Sequence, residues 1–229
     1  MKFTVAIAVY NSSATIEETL LSVISQKEAD VEVVIVDGGS TDSTLQILRY
    51  YSDSVKMISE PDNGVYDAMN KALDLATGDF VLFLGADDHL LSSNTISEVA
   101  SHIDNKNAIY YGDVYRNSRN DIYMGKFSKY KLACENICHQ AIFYPKSVYK
   151  KMKYDLRFPV YADYVYNLRN WKNHSFKYVP ICISYYNCTG LSGNDKSGEK
   201  FGKDMMREVK QNLGWTCYLI RCFYKIYKG

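Results

Sequence analysis

Two adjacent aspartates, Asp87 and Asp88, stand where a buried strand is predicted to end, and their chemistry is the most informative in the chain. The apolar run 80–84 precedes them, with only Gly85 and Ala86 between. A run of four to eight apolar residues bounded by turn residues predicts a buried strand, and ligands of open α/β sheets bind beyond the carboxyl ends of such strands. We therefore expect the pair to face a cleft.

A third carboxylate, Asp37, recurs in the same setting. It follows the apolar segment 31–36 and precedes the segment 38–42, which begins with two glycines. Carboxylate oxygens are hard ligands that suit a divalent cation, and glycines let a ligand approach the backbone closely. The pattern predicts a site that holds a cation together with a phosphorylated substrate such as a nucleotide.

The composition is that of a globular chain. With 229 residues, of which 47% are hydrophobic and 23% charged, the chain can bury a full core as one domain, with or without an appendage. Its 27 basic and 26 acidic residues leave a net charge of +1, which argues against a nucleic-acid-binding surface. The apolar residues 3–9 have no cleavage-like site after them and are interpreted as a first strand rather than a signal peptide.

Two further sequence features bear on location and metal content. No run reaches the roughly 18 apolar residues that a membrane span requires, so we expect a cytoplasmic protein that is soluble or peripheral on a membrane. Six cysteines occur without any C-x-x-C pair, which favours reduced thiols and disfavours structural zinc.

The order of predicted elements indicates an α/β fold. Strands and helices alternate through the first half, which is typical of a mainly parallel sheet with right-handed crossovers. In that half we predict strands at 3–9, 31–36, 55–59 and 80–84, with helices from Ile16, through Leu45 and Leu48, and over 65–76. In the second half we predict strands at 108–113, 121–125 and 141–144, and helices at 146–152, 161–171 and 200–212.

Four segments in order carry a resemblance to a known family. They are 5–11, 34–42, 60–71 and 85–88, and the third reads Glu-Pro-Asp-Asn-Gly-Val-Tyr-Asp-Ala-Met-Asn-Lys. The chain resembles the family 2 glycosyltransferases of the GT-A fold, and within them the bacterial enzymes that build O-antigen and other surface polysaccharides. The second half matches more loosely, through Cys-His-Gln-Ala-Ile-Phe at 138–143 and Ala-Asp-Tyr at 162–164.

This resemblance implies an architecture. The expected fold is a Rossmann-like, mainly parallel sheet flanked by helices, with a smaller acceptor-side half and a C-terminal helical appendage. Residues 1–113 would form the nucleotide-sugar-binding half and residues 114–198 the acceptor-binding half of one GT-A domain. Residues 199–229 would form a helical segment that associates with a membrane.

The resemblance also implies a donor site. Asp37 would contact the base or ribose, Asp87 the ribose, and Asp88 would ligate Mn²⁺ or Mg²⁺ on the diphosphate. The family often has Asp-x-Asp here, and Ala86 stands at its first position, so phosphate oxygens and waters would complete the metal shell. The other expected donor contacts are Ala8, Tyr10, Asp62, Gly64, Lys71 and Ala86.

Asp163 is the candidate catalytic base that the resemblance implies. It would remove the proton from the attacking hydroxyl, and a single displacement would invert the anomeric carbon. The alternative is that Asp163 is only the N-cap of the helix that follows it. His139 and Gln140 are expected to contact the acceptor or the diphosphate, although a lone histidine beside a strand is often structural.

The implied reaction is metal-dependent, inverting and non-processive. It moves a hexose from a UDP-sugar to a hydroxyl of an undecaprenyl-diphosphate-linked saccharide. A nucleotidyltransferase would need a glycine-rich phosphate loop after the first strand, a dehydrogenase G-x-G-x-x-G, and a processive synthase Gln-x-x-Arg-Trp with membrane spans, and the sequence has none of these. A non-catalytic sugar-binding or nucleotide-binding module stays open, and turnover would separate it from an enzyme.

The segment 215–228 predicts an amphipathic helix. The apolar face comprises Trp215, Leu219, Cys222 and Ile226, and the basic residues towards the other side are Arg221, Lys225 and Lys228. Interfacial aromatics and basic residues are typical of helices that lie on anionic membranes, so we predict peripheral attachment to the cytoplasmic face of the inner membrane. The alternative is a terminal helix docked on its own core.

Overall fold

A computed structural model describes residues 1–187 and 202–228. Within these ranges one sheet has nine strands in the order β3-β2-β1-β4-β8-β6-β9-β5, with β7 paired to β6. The strands are β1 (Lys2–Val9), β2 (Asp30–Asp37), β3 (Lys56–Ser59), β4 (Phe80–Gly85), β5 (His89–Leu90), β6 (Ile109–Arg116), β7 (Asp121–Tyr123), β8 (Ile142–Pro145) and β9 (Phe176–Tyr186).

Helices flank this sheet. They are α1 (Ile16–Ile24), α2 (Thr44–Tyr50), α3 (Val65–Leu75), α4 (Thr95–Ser101), α5 (Lys129–Cys134), α6 (Lys146–Tyr149), α7 (Ala162–Trp171), α8 (Gly202–Leu213) and α9 (Trp215–Lys228). Short 3₁₀ turns occur at Ser52–Ser54 and His139–Ala141. The predicted helix at 200–212 is confirmed from residue 202, and its first two residues lie outside the described ranges.

The first half of the sheet is parallel, as the sequence predicts. β1 lies between β2 and β4 and is parallel to both, and β3 adds to β2 in the same direction. The central strands β1 and β4 are buried on both faces, which is why they are continuous apolar runs rather than alternating ones. Their carboxyl ends therefore meet at one edge of the sheet.

The second half of the sheet is mixed. β8 joins β4 antiparallel, β6 pairs antiparallel with β8 and parallel with β9, and β5 caps the edge beside β9. β6 runs through residues 113 and 114, the boundary that we place between the two halves, so both halves share one sheet. The antiparallel pair of β6 and β7 is joined by residues 117–120, a connection too short for a crossover helix.

β9 is absent from the predicted elements although it is the longest strand. It contains Pro180, which removes a backbone donor and normally excludes an interior strand. The structure accommodates it with a shift of register, because Tyr111 is paired with Tyr178 but Asp113 with Cys182. Gly112 fits there because a Cβ atom would lie 2.4 Å from the carbonyl oxygen of Ile181.

The C-terminal helix α9 docks on the core by one side. Cys217 is fully buried, and the Arg221 guanidinium donates to the Ala133 carbonyl at 2.5 Å and to the Tyr164 hydroxyl at 2.7 Å. The opposite, apolar side stays exposed, with Phe223 71% accessible. The helix therefore docks on the core through the side that contains Arg221, and attachment of its apolar side to a membrane stays a prediction. No helix in the described ranges is long and apolar enough to cross a membrane.

Candidate active site

The carboxyl ends of the parallel strands bring the expected donor residues to one edge. Where β1 pairs with β4, Ala8 lies opposite Gly85, and where β1 pairs with β2, Val9 lies opposite Asp37. Ala86 is buried and its carbonyl accepts a hydrogen bond from the Thr19 hydroxyl at 3.0 Å. This edge is the place that the fold class predicts for a nucleotide.

Asp37 organises the loop that follows β2. Its carboxylate is fully buried and accepts hydrogen bonds from the backbone N–H groups of Gly39 and Ser40, both at 3.0 Å, and from the Ser59 hydroxyl at 2.7 Å. The Ser40 hydroxyl makes a further short contact. These bonds hold the backbone of residues 38–40 in a tight turn at the sheet edge. A contact between Asp37 and a base or ribose remains a prediction.

A second loop, residues 60–64, lies beside the first. Asp62 accepts a hydrogen bond from the Gly64 N–H at 2.8 Å, and Gly64 has a φ of 108° that favours glycine. A Cβ atom on Gly38 would lie only 2.5 Å from the Asp62 carboxylate, so the two loops are in close contact. Both loops thus border the same edge.

Lys71 and Tyr10 lie at the margins of this edge. The Lys71 ammonium contacts the Glu60 carboxylate at 2.8 Å and the Asp67 carboxylate at 3.9 Å. The hydrogen bond to Glu60 raises the pKa of Lys71, which keeps it charged. Tyr10 is 61% exposed, so its ring is accessible to a ligand. Their predicted donor contacts are compatible with these positions and stay predictions.

Asp88 is almost fully enclosed, at 2% exposure. Its Oδ2 accepts from the Gly85 N–H at 3.1 Å and the Gln140 side-chain amide at 3.0 Å, and its Oδ1 accepts from the Asn187 N–H at 2.8 Å. Burial raises the pKa of Asp88, and the neighbouring charge of Asp87 acts in the same direction. Asp87 is half-buried and accepts from the Asn187 side-chain amide at 3.0 Å.

This donor set fits a hard divalent cation. Oδ1 of Asp88 accepts one hydrogen bond from the described residues, which leaves one of its two lone pairs for a metal, and Asp87 places a second negative charge beside it. Within the described ranges no group of three or more histidine, cysteine, aspartate or glutamate side chains could hold a metal. A bound diphosphate and waters would have to supply the remaining ligands.

Asp163 lies at a cavity of about 770 Å³. Its carboxylate is 9% exposed and accepts hydrogen bonds from the Tyr66 hydroxyl, the Asn136 side-chain amide and the Tyr164 N–H, each at 2.8 Å. The N-cap of α7 is Tyr161, so the interpretation of Asp163 as an N-cap is wrong. It sits in the first turn, where the helix dipole favours a negative charge.

His139 and Gln140 connect the two carboxylate sites. The Gln140 amide binds Asp88, as above, and the His139 Nδ1 atom lies 3.4 Å from the Asp163 carboxylate. The two residues are adjacent in one 3₁₀ turn packed against β4. The turn therefore fixes the distance between the candidate metal ligand and the candidate base.

The cavity continues towards the C-terminal helices. Aromatic and basic side chains line it around Asp163 and His139, which suits a polar, hydroxyl-bearing substrate with apolar faces. The lining residues on that side are Arg116, Arg119, Tyr123, Tyr161, Tyr164, Tyr186, Arg221 and Lys225.

The sequence interpretation missed three residues that hold the carboxylates. Tyr66 lies within the motif 60–71 and contacts both Asp163 and the Val160 carbonyl at 2.8 Å. Burial and the charge of Asp163 raise the pKa of Tyr66 well above its usual value, so its hydroxyl remains a donor. Asn136 precedes the 138–143 match and gives no signal of its own. Asn187 follows β9, the strand that the sequence did not predict.

Comparisons with known proteins agree with this geometry. The family model described as "Glycosyl transferase family 2" matches residues 4–169. A protein named "PGL/p-HBAD biosynthesis glycosyltransferase" from Mycobacterium bovis (strain BCG) is 36% identical over 234 residues, covering 98% of this chain and 91% of its own. The poly(ribitol-phosphate) β-N-acetylglucosaminyltransferase TarS from Staphylococcus aureus is 38% identical over 110 residues, which is 45% of this chain and 19% of TarS.

Solved structures share the fold. S. aureus TarS 1-349 in complex with UDP-GlcNAc has a TM-score of 0.76 at 22% identity over 93% of this chain, and this chain spans 66% of it and 39% of a longer TarS. A mannosyltransferase from Pyrobaculum calidifontis, solved with GDP-Man and Mn²⁺, has a TM-score of 0.67 at 18% identity, covering 92% of this chain and 61% of its own. The expected GT-A fold is confirmed by these similarities.

Proposed function

Because the chain belongs to glycosyl transferase family 2 and is a glycosyltransferase, we propose that it transfers a hexose from a UDP-sugar, with inversion, to a hydroxyl of a lipid-linked saccharide in bacterial surface polysaccharide synthesis. One sugar is added per encounter. The observation that carries the proposal is the 3₁₀ turn at 139–141, which touches Asp88 through Gln140 and Asp163 through His139. A donor site and a base held together in this way suit direct transfer between two bound substrates.

Asp163 acts as the base in this proposal. Its Oδ2 accepts from Asn136 and its Oδ1 from Tyr66 and Tyr164, so the carboxylate is held in one orientation beside the cavity. An acceptor hydroxyl in the cavity would give its proton to a lone pair of this carboxylate as the oxygen attacks the anomeric carbon. Attack from the face opposite the leaving nucleotide inverts that carbon.

Asp88 is the residue that would hold Mn²⁺ or Mg²⁺ on the donor diphosphate, and Asp87 would contact the ribose. A divalent cation at Asp88 neutralises the charge that grows on the leaving nucleotide. Gln140 and Asn187 keep the carboxylates in place, and Asp37, Asp62, Gly64 and Lys71 shape the loops against which the nucleotide would lie.

The nucleotide is proposed to be uridine diphosphate. The UDP and UDP-GlcNAc complexes of TarS support this choice, since TarS is also similar to this chain in sequence. The archaeal mannosyltransferase with GDP-Man is the contrary example. A guanosine donor is therefore the first competitor to test.

The acceptor is proposed to be carried by undecaprenyl diphosphate, with the enzyme peripheral on the cytoplasmic face of the inner membrane. The exposed apolar side of α9 supports attachment to a bilayer, and the basic lining of the cavity near Arg119 and Lys225 supports an anionic acceptor. In the proposed division, residues 1–113 bind the donor, residues 114–198 the acceptor, and residues 199–229 the membrane.

A panel of UDP-sugars and GDP-sugars tests the proposal. We expect metal-dependent release of UDP from one of them, increased by a lipid-linked saccharide and abolished by chelation until Mn²⁺ or Mg²⁺ is restored. The variant Asp88→Asn should lose transfer and keep its fold. The control is Asp42→Asn, which changes a carboxylate in the segment after Gly38 and Gly39 and should keep activity within about 3-fold. Full activity of the wild type in chelator would refute the metal assignment, and release from GDP-sugars alone would refute the uridine donor.

A further inference from the structure

A recess between α8 and α9 gathers positive charge outside the active site. Its volume is about 550 Å³. Four cationic side chains line it together with Met206, Trp215 and Tyr218, and its lining contains no carboxylate. The four are Lys203, Arg207, Lys210 and Lys225. Three of them follow one another at positions i, i+4 and i+7 of α8, so a single helix face presents them.

These cations are not neutralised by the part of the chain that the structure describes. Every ion pair within 4.0 Å in residues 1–187 and 202–228 involves other basic residues. The acidic residues of α8 do not line this recess: Glu208 binds Arg169 at 3.1 Å, and Asp204 lines a second recess, which only Arg207 of the four cations also borders. Positive charge concentrated without partners favours an anionic ligand.

The exposed apolar side of α9 adjoins this recess. Trp215 is 62% exposed, and the Lys210 ammonium lies 3.6 Å from its ring centroid, so the charged and the apolar surfaces meet at one contact. The remaining large apolar side chains continue along the helix for three turns. They are Leu219, Phe223, Ile226 and Tyr227, with exposures of 52%, 71%, 78% and 92%.

We propose that this recess binds the phosphate headgroups of anionic phospholipids while the apolar side of α9 lies in the bilayer surface. The charge and the apolar face select the occupant together: phosphates match the four cations, and acyl chains match the aromatic and aliphatic side chains. A purely protein partner would match the apolar face but has no need of four adjacent cations. This inference rests on the proposed function, because it names the lipid that the enzyme would bind at the membrane.

The position of the recess explains how such binding would serve transfer. Gly202 and Lys225 line both the recess and the cavity that contains Asp163. A bilayer engaged at the recess would therefore lie beside the cavity. A saccharide on a lipid carrier could reach Asp163 while its lipid stays in the membrane.

Vesicle sedimentation with the full chain tests the site. The probes are phosphatidylcholine vesicles with and without phosphatidylglycerol, both free of polyprenyl lipid. We expect binding that needs phosphatidylglycerol and falls at high salt. Lys203→Gln with Lys210→Gln should weaken it roughly 5-fold per lysine, hence about 25-fold for the pair. The matched control is Lys27→Gln with Lys106→Gln, two exposed lysines outside α8 and α9, with less than about 2-fold effect.

A second pair of variants tests the apolar contribution. Phe223→Ser with Ile226→Ser should weaken vesicle binding roughly 10-fold or more and leave the thermal midpoint unchanged, because both side chains are exposed. Equal binding by the lysine pair and its control would overturn the site. So would an absence of binding to the phosphatidylglycerol vesicles, or a stable dimer in solution that Phe223→Ser converts to a monomer.

Nucleotide release from the active sugar nucleotide separates this inference from the proposed function. It is measured without vesicles in all variants, which alter no residue placed in donor or base chemistry. Vesicle binding by a wild type that turns over no sugar nucleotide would refute the function and leave the lipid site standing. Unchanged vesicle binding by variants that keep turnover would refute the lipid site alone.

Discussion

Buried carboxylates at the two ends of the parallel strands differ in what surrounds them. At the amino end, Glu32 accepts hydrogen bonds from the Thr4 hydroxyl at 2.7 Å, the Thr77 N–H at 2.9 Å and the Thr77 hydroxyl at 2.8 Å, and it pairs with Lys2 at 3.3 Å. At the carboxyl end, Asp88 accepts three N–H donors and has no cation within ion-pair distance among the described residues.

The pKa values move in opposite directions as a result. Burial acts against the charged form of Glu32, but the hydrogen bonds from Thr4 and Thr77 and the contact with Lys2 outweigh it and lower the pKa of Glu32 to about 2. Burial dominates at Asp88 and raises its pKa, with the charge of Asp87 adding to the effect. The hydrogen-bond donors and the lysine around Glu32 compensate its charge, so this carboxylate stabilises the fold. The negative charge of Asp88 has no such cation beside it among the described residues, so the carboxyl end of the strands suits a bound cation.

After the loss of transfer expected for Asp88→Asn, the next largest effect is expected at the candidate base. Asp163→Asn keeps the shape of the side chain but cannot accept the proton, so turnover should fall about 10²- to 10⁴-fold while donor affinity changes little. Steady-state kinetics with varied donor, together with direct donor binding, measures both. Glu32→Gln serves as the control and should leave turnover within about 2-fold.

Parallel losses of donor affinity and turnover in Asp163→Asn would contradict the role of base. They would instead indicate that the carboxylate only supports α7 and the turn at 139–141.

A smaller effect is expected at Tyr66, which positions the base. Tyr66→Phe removes the hydroxyl that lies 2.8 Å from Asp163 and keeps the ring that packs 5.5 Å from the Tyr154 ring. Turnover should fall roughly 10-fold while donor affinity changes little, because the carboxylate loses one of the hydrogen bonds that orient it. Tyr154→Phe is the matched control, since Tyr154 packs in the same cluster and its hydroxyl has no partner among the described residues. A loss of donor affinity equal to the loss of turnover would assign Tyr66 to packing alone.

The smallest effect on activity, and the clearest on stability, is expected at Glu32. In Glu32→Gln the side-chain NH₂ group points at one or more of the donors that bind the carboxylate in the wild type. Those donors lose their acceptor, which should lower the unfolding free energy by about 1–3 kcal/mol at pH 7. The folded-state pKa is depressed, so the wild-type contribution is present above the ordinary glutamate value and is lost as the pH falls towards about 2. The difference in unfolding free energy between the two proteins, measured by denaturant unfolding, should hold from pH 7 to about pH 5 and shrink from there to about pH 3. A constant difference would disprove the linkage.

The first half of the fold is predictable because its signals are local. The strands at 31–36 and 80–84 are continuous apolar runs that end in glycine and aspartate, and both are confirmed within a few residues as β2 and β4. Helices α4 and α5 were not predicted.

The second half depends on contacts that local patterns do not encode. β9 forms despite Pro180 because its partner β6 supplies the register shift at Gly112. Asn187 then reaches Asp87 and Asp88 across about a hundred residues of sequence, and Asn136 reaches Asp163 from a separate loop. Partners this far apart in sequence cannot be identified from residue type.

By itself, the sequence determined that carboxylates end two parallel strands, that glycines follow or precede them, and that one face of the last helix is apolar. Periodicity and turn chemistry act over a few residues, so a single chain segment records them. Only the tertiary structure decided that His139 and Gln140 tie the base to the candidate metal ligand, and that α9 docks through Arg221 with its apolar face outward. Those outcomes depend on which residues that are distant in sequence pack together, and that packing depends on how all the core side chains fit.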